Sequence, residues 1–259
     1  MLDLLRARLH QRFRTSAYPD GPPPALPERF RGRPVLDASR CAPGCRDCAD
    51  ACPTDAIALD PHPAIDLGRC LFCRACTDAC PTGALAFGAD YRLAARTRDD
   101  LAANADPSAV PRLAAALDAK SRSLFGRSLK LRQVSAGGCN ACEADVNVLT
   151  TLVWDIGRFG INVVASPRHA DGLLVTGPVT ETMRLALLKT YAAVAPPKIV
   201  IAVGACAISG GPFAGHPEAH DGAGALVPVD LFVPGCPPHP LTILDGLLRL
   251  LGRIESGAR

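Results

Sequence analysis

The sequence predicts an α/β fold: a parallel-sheet domain over residues 129–259, preceded by a small, cysteine-rich α+β unit over 31–90. Two observations carry this. In the second half, short β-branched or apolar runs alternate with helix-period patterns, the signature of strands joined by crossover helices. In the first half, a cysteine-bearing segment occurs twice, from Cys52 to Leu59 and from Cys80 to Phe87, offset by 28 residues. The length of 259 residues suits one large or two modest domains. The remaining segments are a helix and arm over 1–30 and a helical linker over 91–128.

Hydrophobic residues at 48% and charged residues at 20% are ample for ordinary cores. A net charge of +3 is too small to point to nucleic acid, and no nucleic-acid-binding signature is present. No apolar run reaches the roughly 18 residues that crossing a bilayer takes. The start lacks the apolar stretch and cleavage site of a secretory signal, so the chain is expected in the cytoplasm. In that reducing compartment twelve cysteines point to metal ligation rather than disulfides.

Leu2, Leu5, Leu9 and Phe13 follow a helical period, with Arg6, Arg8, Arg12 and Arg14 crowded among them. This predicts a basic amphipathic helix that lies on its own protein, on a neighbouring subunit or on a membrane surface. The proline-rich stretch from Tyr18 to Pro27 cannot continue a helix and should form an extended arm into Phe30-Arg31-Gly32-Arg33. Cys41-x3-Cys45-x2-Cys48-x3-Cys52-Pro53 follows, then Cys70-x2-Cys73-x2-Cys76-x3-Cys80-Pro81. Zinc competes for any set of cysteines, but eight thiols in a duplication with two Cys-Pro endings favour iron–sulfur ligation, and thiolate is the soft donor that iron in such clusters prefers. The first loop carries Ala42-Pro43-Gly44 where two residues are usual; proline and glycine suit a tight turn that absorbs the extra one.

Residues 91–128 lack cysteine and combine Arg and Asp with Ala-rich stretches and two prolines, Pro107 and Pro111, hence the expectation of a helical linker. Beyond it, the candidate strands are Leu129–Val134, Ile161–Ala165, Gly172–Thr176, Lys198–Val203 and Leu226–Val229. Core stripes are expected at Val146, Leu149, Val153 and Ile156, at Met183, Leu187, Tyr191 and Val194, and at Leu241, Leu244, Leu248 and Leu251. Cys139 and Cys142, after Gly137-Gly138, follow the first strand; Cys206 follows Ile-Val-Ile-Ala-Val-Gly, and Cys236 follows Leu-Phe-Val-Pro-Gly. A Cys-x-x-Cys alone also fits a redox pair or half a zinc site. Ligands of open parallel sheets bind outside the carboxyl ends of the strands, where these four thiols can converge on a third [4Fe–4S] cluster. The glycine pair would let the backbone approach that bulky group.

The cysteine repeat resembles a bacterial two-cluster ferredoxin. The resemblance implies crossed ligation: Cys41, Cys45, Cys48 and Cys80 around one [4Fe–4S] cluster, Cys70, Cys73, Cys76 and Cys52 around another. The motifs Gly-Gly-Cys-Asn-Ala-Cys-Glu, Arg158-Phe159-Gly160, Ala165-Ser166-Pro167-Arg168, Gly204-Ala205-Cys206 and Val227-Pro228-Val229-Asp230 through Pro234-Gly235-Cys236-Pro237-Pro238 resemble a second family. It is shared by small subunits of membrane-bound [NiFe] hydrogenases and the 20 kDa subunit of complex I. That likeness implies a flavodoxin-like fold holding one [4Fe–4S] cluster against a large partner subunit.

Complex I has adjacent cysteines at the first motif, so Cys139-x2-Cys142 looks like the hydrogenase branch, although Ala141 stands where hydrogenase relatives usually have glycine. From Thr15 through Phe30-Arg31-Gly32-Arg33-Pro34 and the repeat, the chain is similar to the formate hydrogenlyase ferredoxin-like subunit and the complex I 23 kDa subunit. It reads as two neighbouring subunits fused.

Taken together, these resemblances imply an electron conduit of three [4Fe–4S] clusters in an oxidoreductase complex. Its expected partners are a hydrogenase-like large subunit, membrane subunits of the same complex, and a donor such as ferredoxin or a formate dehydrogenase module, and its expected place is the cytoplasmic face of the inner membrane. A complex I-like quinone oxidoreductase and a stand-alone ferredoxin-type carrier are the alternatives. Glu143 and Asp145 suit a helix start, Glu143 serving as a cap or a proton relay. Arg168 either stabilises a reduced cluster or forms a surface ion pair. His169, His216, His220 and His239 are expected as solvent-facing loop residues, and the Gly-rich stretch 210–224 lacks the context of a phosphate loop.

Overall fold

The computed structural model describes residues 2–12, 14–59, 63–104 and 112–254. Its helix α1 (Leu2–Gln11) has no buried residue; Leu2, Leu5 and Leu9 are all exposed. Phe13, expected on the same stripe, lies outside the described residues, as do Pro107 and Pro111. The cysteine repeat forms β1 (Pro34–Leu36), α2 (Asp47–Asp50), β2 (Ile57–Ala58), β3 (Ala64–Asp66), α3 (Ala75–Ala79) and β4 (Leu85–Phe87). β1 pairs antiparallel with β4, closing the two halves on each other, while β2, β3 and β5 (Ala102–Asn104) make a three-stranded antiparallel sheet.

After α4 (Ala119–Phe125) come β6 (Leu129–Ser135), α5 (Ala141–Val148), β7 (Ile161–Val163), β8 (Gly172–Thr176), α6 (Glu181–Ala193), β9 (Ile199–Val203), α7 (Ala205–Ser209), β10 (Leu231–Val233) and α8 (Pro240–Leu250). The strands form one parallel sheet in the order β10-β9-β8-β6-β7. Numbered within the domain this is 2-1-3-4-5, the flavodoxin-like order. All five residues of β8 and of β9 are buried, as expected of central strands in a sheet covered on both faces.

Four of the five expected strands form close to where the patterning puts them. The fifth does not: Leu226–Val229 lies beyond a 3-10 turn, Ala223–Ala225, and the strand is Leu231–Val233. Pro228 has no N–H to give a ladder, and the Asp230 carboxylate accepts from Val200 N at 2.8 Å, so pairing with β9 starts one residue later. Val153 also departs from expectation. It is 46% exposed because α5 ends at Val148 and the chain turns back before the 3-10 segment Ile156–Phe159. Leu187, Val194, Leu241, Leu244 and Leu248 are buried, and Met183 and Tyr191 pack against the core at its edge.

The helical linker is corrected most. Within 91–128 only Ala119–Phe125 is α-helical and Asp99–Leu101 a 3-10 turn; the rest of the described stretch is extended or irregular. Ala95 bridges Phe232 antiparallel, covering the β10 edge, and Ala102–Asn104 adds a strand to the cysteine unit. The small alanines of this stretch are needed for close approach: a Cβ on Gly246 of α8 would come within 2.7 Å of Ala94 Cβ. With this strap on one side and the sheet on the other, all residues of α8 are buried, including Asp245 and Arg249. Those two pair at 2.8 Å, and Tyr18 Oη donates to Asp245 at 2.7 Å, so the proline-rich arm is anchored on the last helix. Burial, with the Asp245 charge behind it, pushes the Tyr18 hydroxyl pKa up, keeping it a donor.

The two cysteine-bearing units share a core. Ile65, Leu67, Phe72 and Leu101 pack in one cluster with Ala202, Ala207 and Ile208 of the sheet domain. Burying a side chain of this size stabilises by about 1.5–3 kcal/mol, so the contact holds the repeat in one place. Ser209 Oγ donates to Gly68 O at 2.9 Å across the same seam. Tyr18→Phe removes one donor from a buried carboxylate and is expected to cost about 1–2 kcal/mol, read as a lower urea midpoint of the anaerobic, iron-loaded protein at unchanged iron content.

Candidate iron–sulfur centres

The sheet domain delivers its four cysteines as expected, each at the carboxyl end of a strand. Cys139 lies in the turn after β6 and Cys142 in the first turn of α5; Cys206 opens α7 after β9, and Cys236 follows β10. β6 and β8 are neighbours although β7 intervenes in the chain, so the Cys139–Cys142 turn sits where the strand order reverses. The four thiols share one electrostatic environment. Burial raises the Cys142 pKa, followed by the charges of Cys206, Glu143, Cys236 and Cys139; burial, then Cys236 and Cys139, takes Cys206 to about 11.

Glycines shape this site, in a way that differs from the expectation. The Gly137-Gly138 pair is close to protein rather than to an open ligand face: a Cβ on Gly177, just after β8, would lie 2.5 Å from Gly138 N, and one on Gly137 would strike the Thr180 side chain at 2.5 Å. The backbone that cradles the sulfurs lies elsewhere. Gly204, at φ 91°, would put a Cβ 2.5 Å from Cys142 Sγ, and a Cβ on Gly211 would be 3.0 Å from Cys206 Sγ. Gly204 was legible as part of Gly-Ala-Cys; Gly177 and Gly211 carry no signal in the sequence that assigns them to the site.

In the repeat, Cys41, Cys45, Cys48 and Cys80 line one cavity with Leu36, Leu59 and Ala84. The extra residue of the first loop is absorbed as expected: Cys45 N donates to Ala42 O at 3.1 Å across Pro43 and Gly44, whose φ is +74°, the arrangement of a type II turn. Burial and then the charges of Cys80, Cys41 and Cys45 raise Cys48. Cys70, Cys76, Cys52 and Cys73 form the second set, with Cys70 pushed up to about 12, chiefly by burial, and Cys76 to about 11.

The duplication extends to detail. Thr54 and Thr82, two residues after Cys52 and Cys80, hold their hydroxyls 3.8 and 3.7 Å from those sulfurs. Although burial acts against it, the Thr82 hydroxyl and the Ala84 and Leu85 N–H groups lower Cys80.

Two of the three Cys-x-x-Cys turns that open a helix use the same backbone device; before α2, Arg46 between Cys45 and Cys48 has φ −125° instead. Arg74 between Cys73 and Cys76 has φ +79°, and Asn140 between Cys139 and Cys142 has φ +70°. The left-handed residue throws the second cysteine onto the first helical turn, so both thiols face the same side. Backbone N–H groups aim at sulfur: Ala56 N at Cys52 and Phe72 N at Cys70, each 3.3 Å. Such donors suit thiolate bound to iron. Among the described residues no three of His, Cys, Asp and Glu converge on the position of one ion; the sets of four are recognised through the charge each thiol feels from the others. Four thiols around a cavity at the first set, N–H···S bonds at the second and a glycine cradle at the third fit iron–sulfur ligation. Phe72, the residue before Cys73, lines one cavity with Cys236, which also feels the Cys73 charge after burial and Cys139, so the second and third sets lie on adjoining surfaces.

Other candidate residues fall differently. Glu143 is 5% exposed, accepting from Ser135 Oγ and Thr176 Oγ1, both at 2.6 Å. Burial raises its pKa, but the two hydroxyls and its own backbone N–H outweigh this and leave it low. Asp145, half-buried, is raised by burial. Arg168 stands exposed in the turn Pro167–His169. The expectation of solvent-facing histidines fails for two. His239 Nδ1 caps α8 by accepting from Leu241 N at 3.1 Å, and its ring stands edge-on to Phe30 and Trp154; His220 pairs with Glu181 at 2.6 Å.

The chain matches known proteins along both units. Residues 139–250 match the family described as NADH ubiquinone oxidoreductase, 20 Kd subunit, and residues 29–84 match the 4Fe-4S dicluster domain. Formate hydrogenlyase subunit 7 of Escherichia coli is 42% identical over 150 residues, 58% of this chain and 59% of the relative. The probable membrane-bound hydrogenase subunit mbhJ of Pyrococcus furiosus is 43% identical over 132 residues, 51% of this chain and 79% of the relative. An NADH-quinone oxidoreductase subunit of Carboxydothermus hydrogenoformans is 42% identical over 120 residues, 46% of this chain and 72% of the relative. The chain therefore spans little more than half of the Escherichia coli relative and most of the other two.

Burial first, and the charges of neighbouring thiols after it, disfavour ionisation of these cysteines. The folded pKa values of Cys70, Cys76 and Cys206, about 12, 11 and 11, lie above the ordinary value of 9.0. Their contribution to stability is therefore full below pH 9 and is lost as pH rises through 11 to 12. Urea midpoints of the chelated chain should fall over that window, and Cys70→Ser, which has no thiol there to ionise, should flatten the fall.

Proposed function

Because the chain belongs to the family of the 20 kDa subunit of NADH-ubiquinone oxidoreductase, an oxidoreductase family with hydrogenase subunits among its members, we propose a specific role within it. The protein is the electron-transfer subunit of a membrane-associated hydrogenase complex of the formate hydrogenlyase kind, relaying electrons through three [4Fe–4S] clusters. Residues 31–90 hold two of them and residues 129–259 the third. Its partners are a large subunit that carries the nickel site, membrane subunits of the complex, and a donor such as ferredoxin or a formate dehydrogenase module.

The observation that carries the reading is that Phe72, next to Cys73 in the chain, lines one cavity with Cys236 and packs with Ala202, Ala207 and Ile208 of the sheet domain. The proposed relay runs from the set Cys41, Cys45, Cys48, Cys80 through Cys52, Cys70, Cys73, Cys76 to Cys139, Cys142, Cys206, Cys236. Bound clusters supply one-electron relay; the chain's own residues set spacing and surroundings. The shared core around Phe72 and Ile208 keeps the second and third sets at one separation. Cys139 and Cys236 are exposed, and that face suits the large subunit.

A quinone-reducing complex is the second reading, favoured by the likeness to the NADH-quinone oxidoreductase subunit of Carboxydothermus hydrogenoformans; the spacing of Cys139 and Cys142 favours the hydrogenase branch. A stand-alone carrier would not need the sheet domain.

No helix among the described residues is long and apolar enough to cross a membrane. In α1, Leu2, Leu5 and Leu9 share one face, with Arg6 to one side and Arg8 to the other, and Asp3 away from the stripe. Leucines that dip into the acyl boundary while flanking arginines reach lipid phosphates suit peripheral attachment to the cytoplasmic face of the inner membrane.

Anaerobic iron and sulfide analysis should find about twelve of each per chain, from three clusters of four; eight irons, or stoichiometric zinc, would remove one site from the proposal. Cys206→Ser should abolish only the third signal in electron paramagnetic resonance and, in the assembled complex, turnover. Deleting residues 2–12 should end cosedimentation with vesicles containing anionic lipid while leaving iron content unchanged; undiminished cosedimentation would place membrane attachment elsewhere.

A further inference from the structure

Glu143 is a buried carboxylate in the sheet domain, 5% exposed. It lies in the first turn of α5, beside Cys142, and its Oε1 reaches back between the ends of two parallel strands. There it accepts from Ser135 Oγ, the last residue of β6, and from Thr176 Oγ1, the last residue of β8, both at 2.6 Å. A hydroxyl oxygen that close to a carboxylate oxygen is the length of a charge-assisted bond to an ionised group. Gly138 is held against the same oxygen, its Cβ position 3.6 Å away. None of the ion pairs found among the described residues includes Glu143. Two neutral dipoles therefore hold an anion with no cation paired to it, next to four thiols.

We propose that Glu143 is a positioning residue of the third site. Its carboxylate ties the Cys139–Cys142 turn to β6 and β8 and keeps a fixed negative charge beside the cluster that lowers its reduction potential. The inference rests on the reading of Cys139, Cys142, Cys206 and Cys236 as cluster ligands. Cluster potentials respond to nearby charge and solvent exposure. An electron added next to a desolvated anion is opposed more strongly than in water, because the surroundings screen it less. A carboxylate that merely favoured a helix start could point to solvent; this one is turned inward and bonded to side chains 8 and 33 residues away.

The test is a redox titration at fixed pH, followed by electron paramagnetic resonance, on the anaerobically purified full chain. Glu143→Gln keeps an oxygen that can accept from both hydroxyls and removes the charge. The third signal should then titrate at a higher potential, with the two signals of the repeat unmoved. Ser135→Ala, at an exposed position, keeps the charge and removes one dipole that offsets it, so it should lower the midpoint. An unchanged midpoint in Glu143→Gln, or a raised one in Ser135→Ala, overturns the proposal. Should Glu143→Gln fail to assemble the third cluster, Ser135→Ala decides: a lowered midpoint upholds the proposal, and a raised or unchanged one overturns it. A wild-type chain with only two signals overturns the third site itself, and this inference with it.

Discussion

The arrangement depends on the apolar seam between the cysteine repeat and the sheet. Ile65, Leu67, Phe72 and Leu101 do not close a core of their own; they are completed by Ala202, Ala207 and Ile208. A unit this small, with much of its interior given to cysteines, has little apolar area with which to fold alone. Borrowing the face of a parallel sheet solves that problem and sets the position of Cys73 relative to Cys236. Stability and electron relay thus draw on the same contact: side chains that hide Phe72 from water also keep two groups of thiols from drifting apart.

Around the seam, the rest of the chain acts as a strap. Residues 91–104 and 112–118 cross α8 and the β10 edge instead of forming a helix, with Ala114 N bonded to Ala94 O and Leu117 N to Leu250 O. Covering the edge leaves fewer unpaired strand groups exposed, and it buries α8 on every side. The consequence is a helix whose polar residues need partners inside the protein. Asp245 and Arg249 find each other, and Tyr18 completes the carboxylate. The arm that begins at Tyr18 is then led past Phe30, which stands edge-on to His239, to Arg31, whose guanidinium donates to Phe72 O beside the second cysteine set.

At the third site, glycine is used where backbone and sulfur would collide. Gly204 leaves room for Cys142 Sγ, and Gly177 leaves room for Gly138. Both have positive φ, so a side chain would bring strain as well as a clash. The site is a place where strand ends are brought closer together than ordinary side chains permit, and the carboxylate of Glu143 bridges the ends of two of them.

Much of this was legible in the sequence, because spacing and periodicity are local properties. The repeat from Cys52 to Cys80, the turn at Pro43-Gly44, and four of five strands of the sheet follow from residue order alone. So does the delivery of Cys139, Cys142, Cys206 and Cys236 to strand ends. What sequence reasoning misplaced was decided by neighbours distant in the chain. Ala-rich residues 91–128 have helix propensity, yet extended backbone there buries Ala94 against Gly246 and pairs Ala95 with Phe232, contacts a helix would forfeit. His239 reads as a loop histidine until Phe30, Trp154 and Leu241 surround it. Glu143 reads as a helix-start acid until Ser135 and Thr176 take its oxygen. By itself the sequence determined which residues could bind iron and which elements carry them; only the tertiary structure decided which sets stand side by side and which buried charge lies between strands, because proximity across the fold is set by packing that no local pattern encodes.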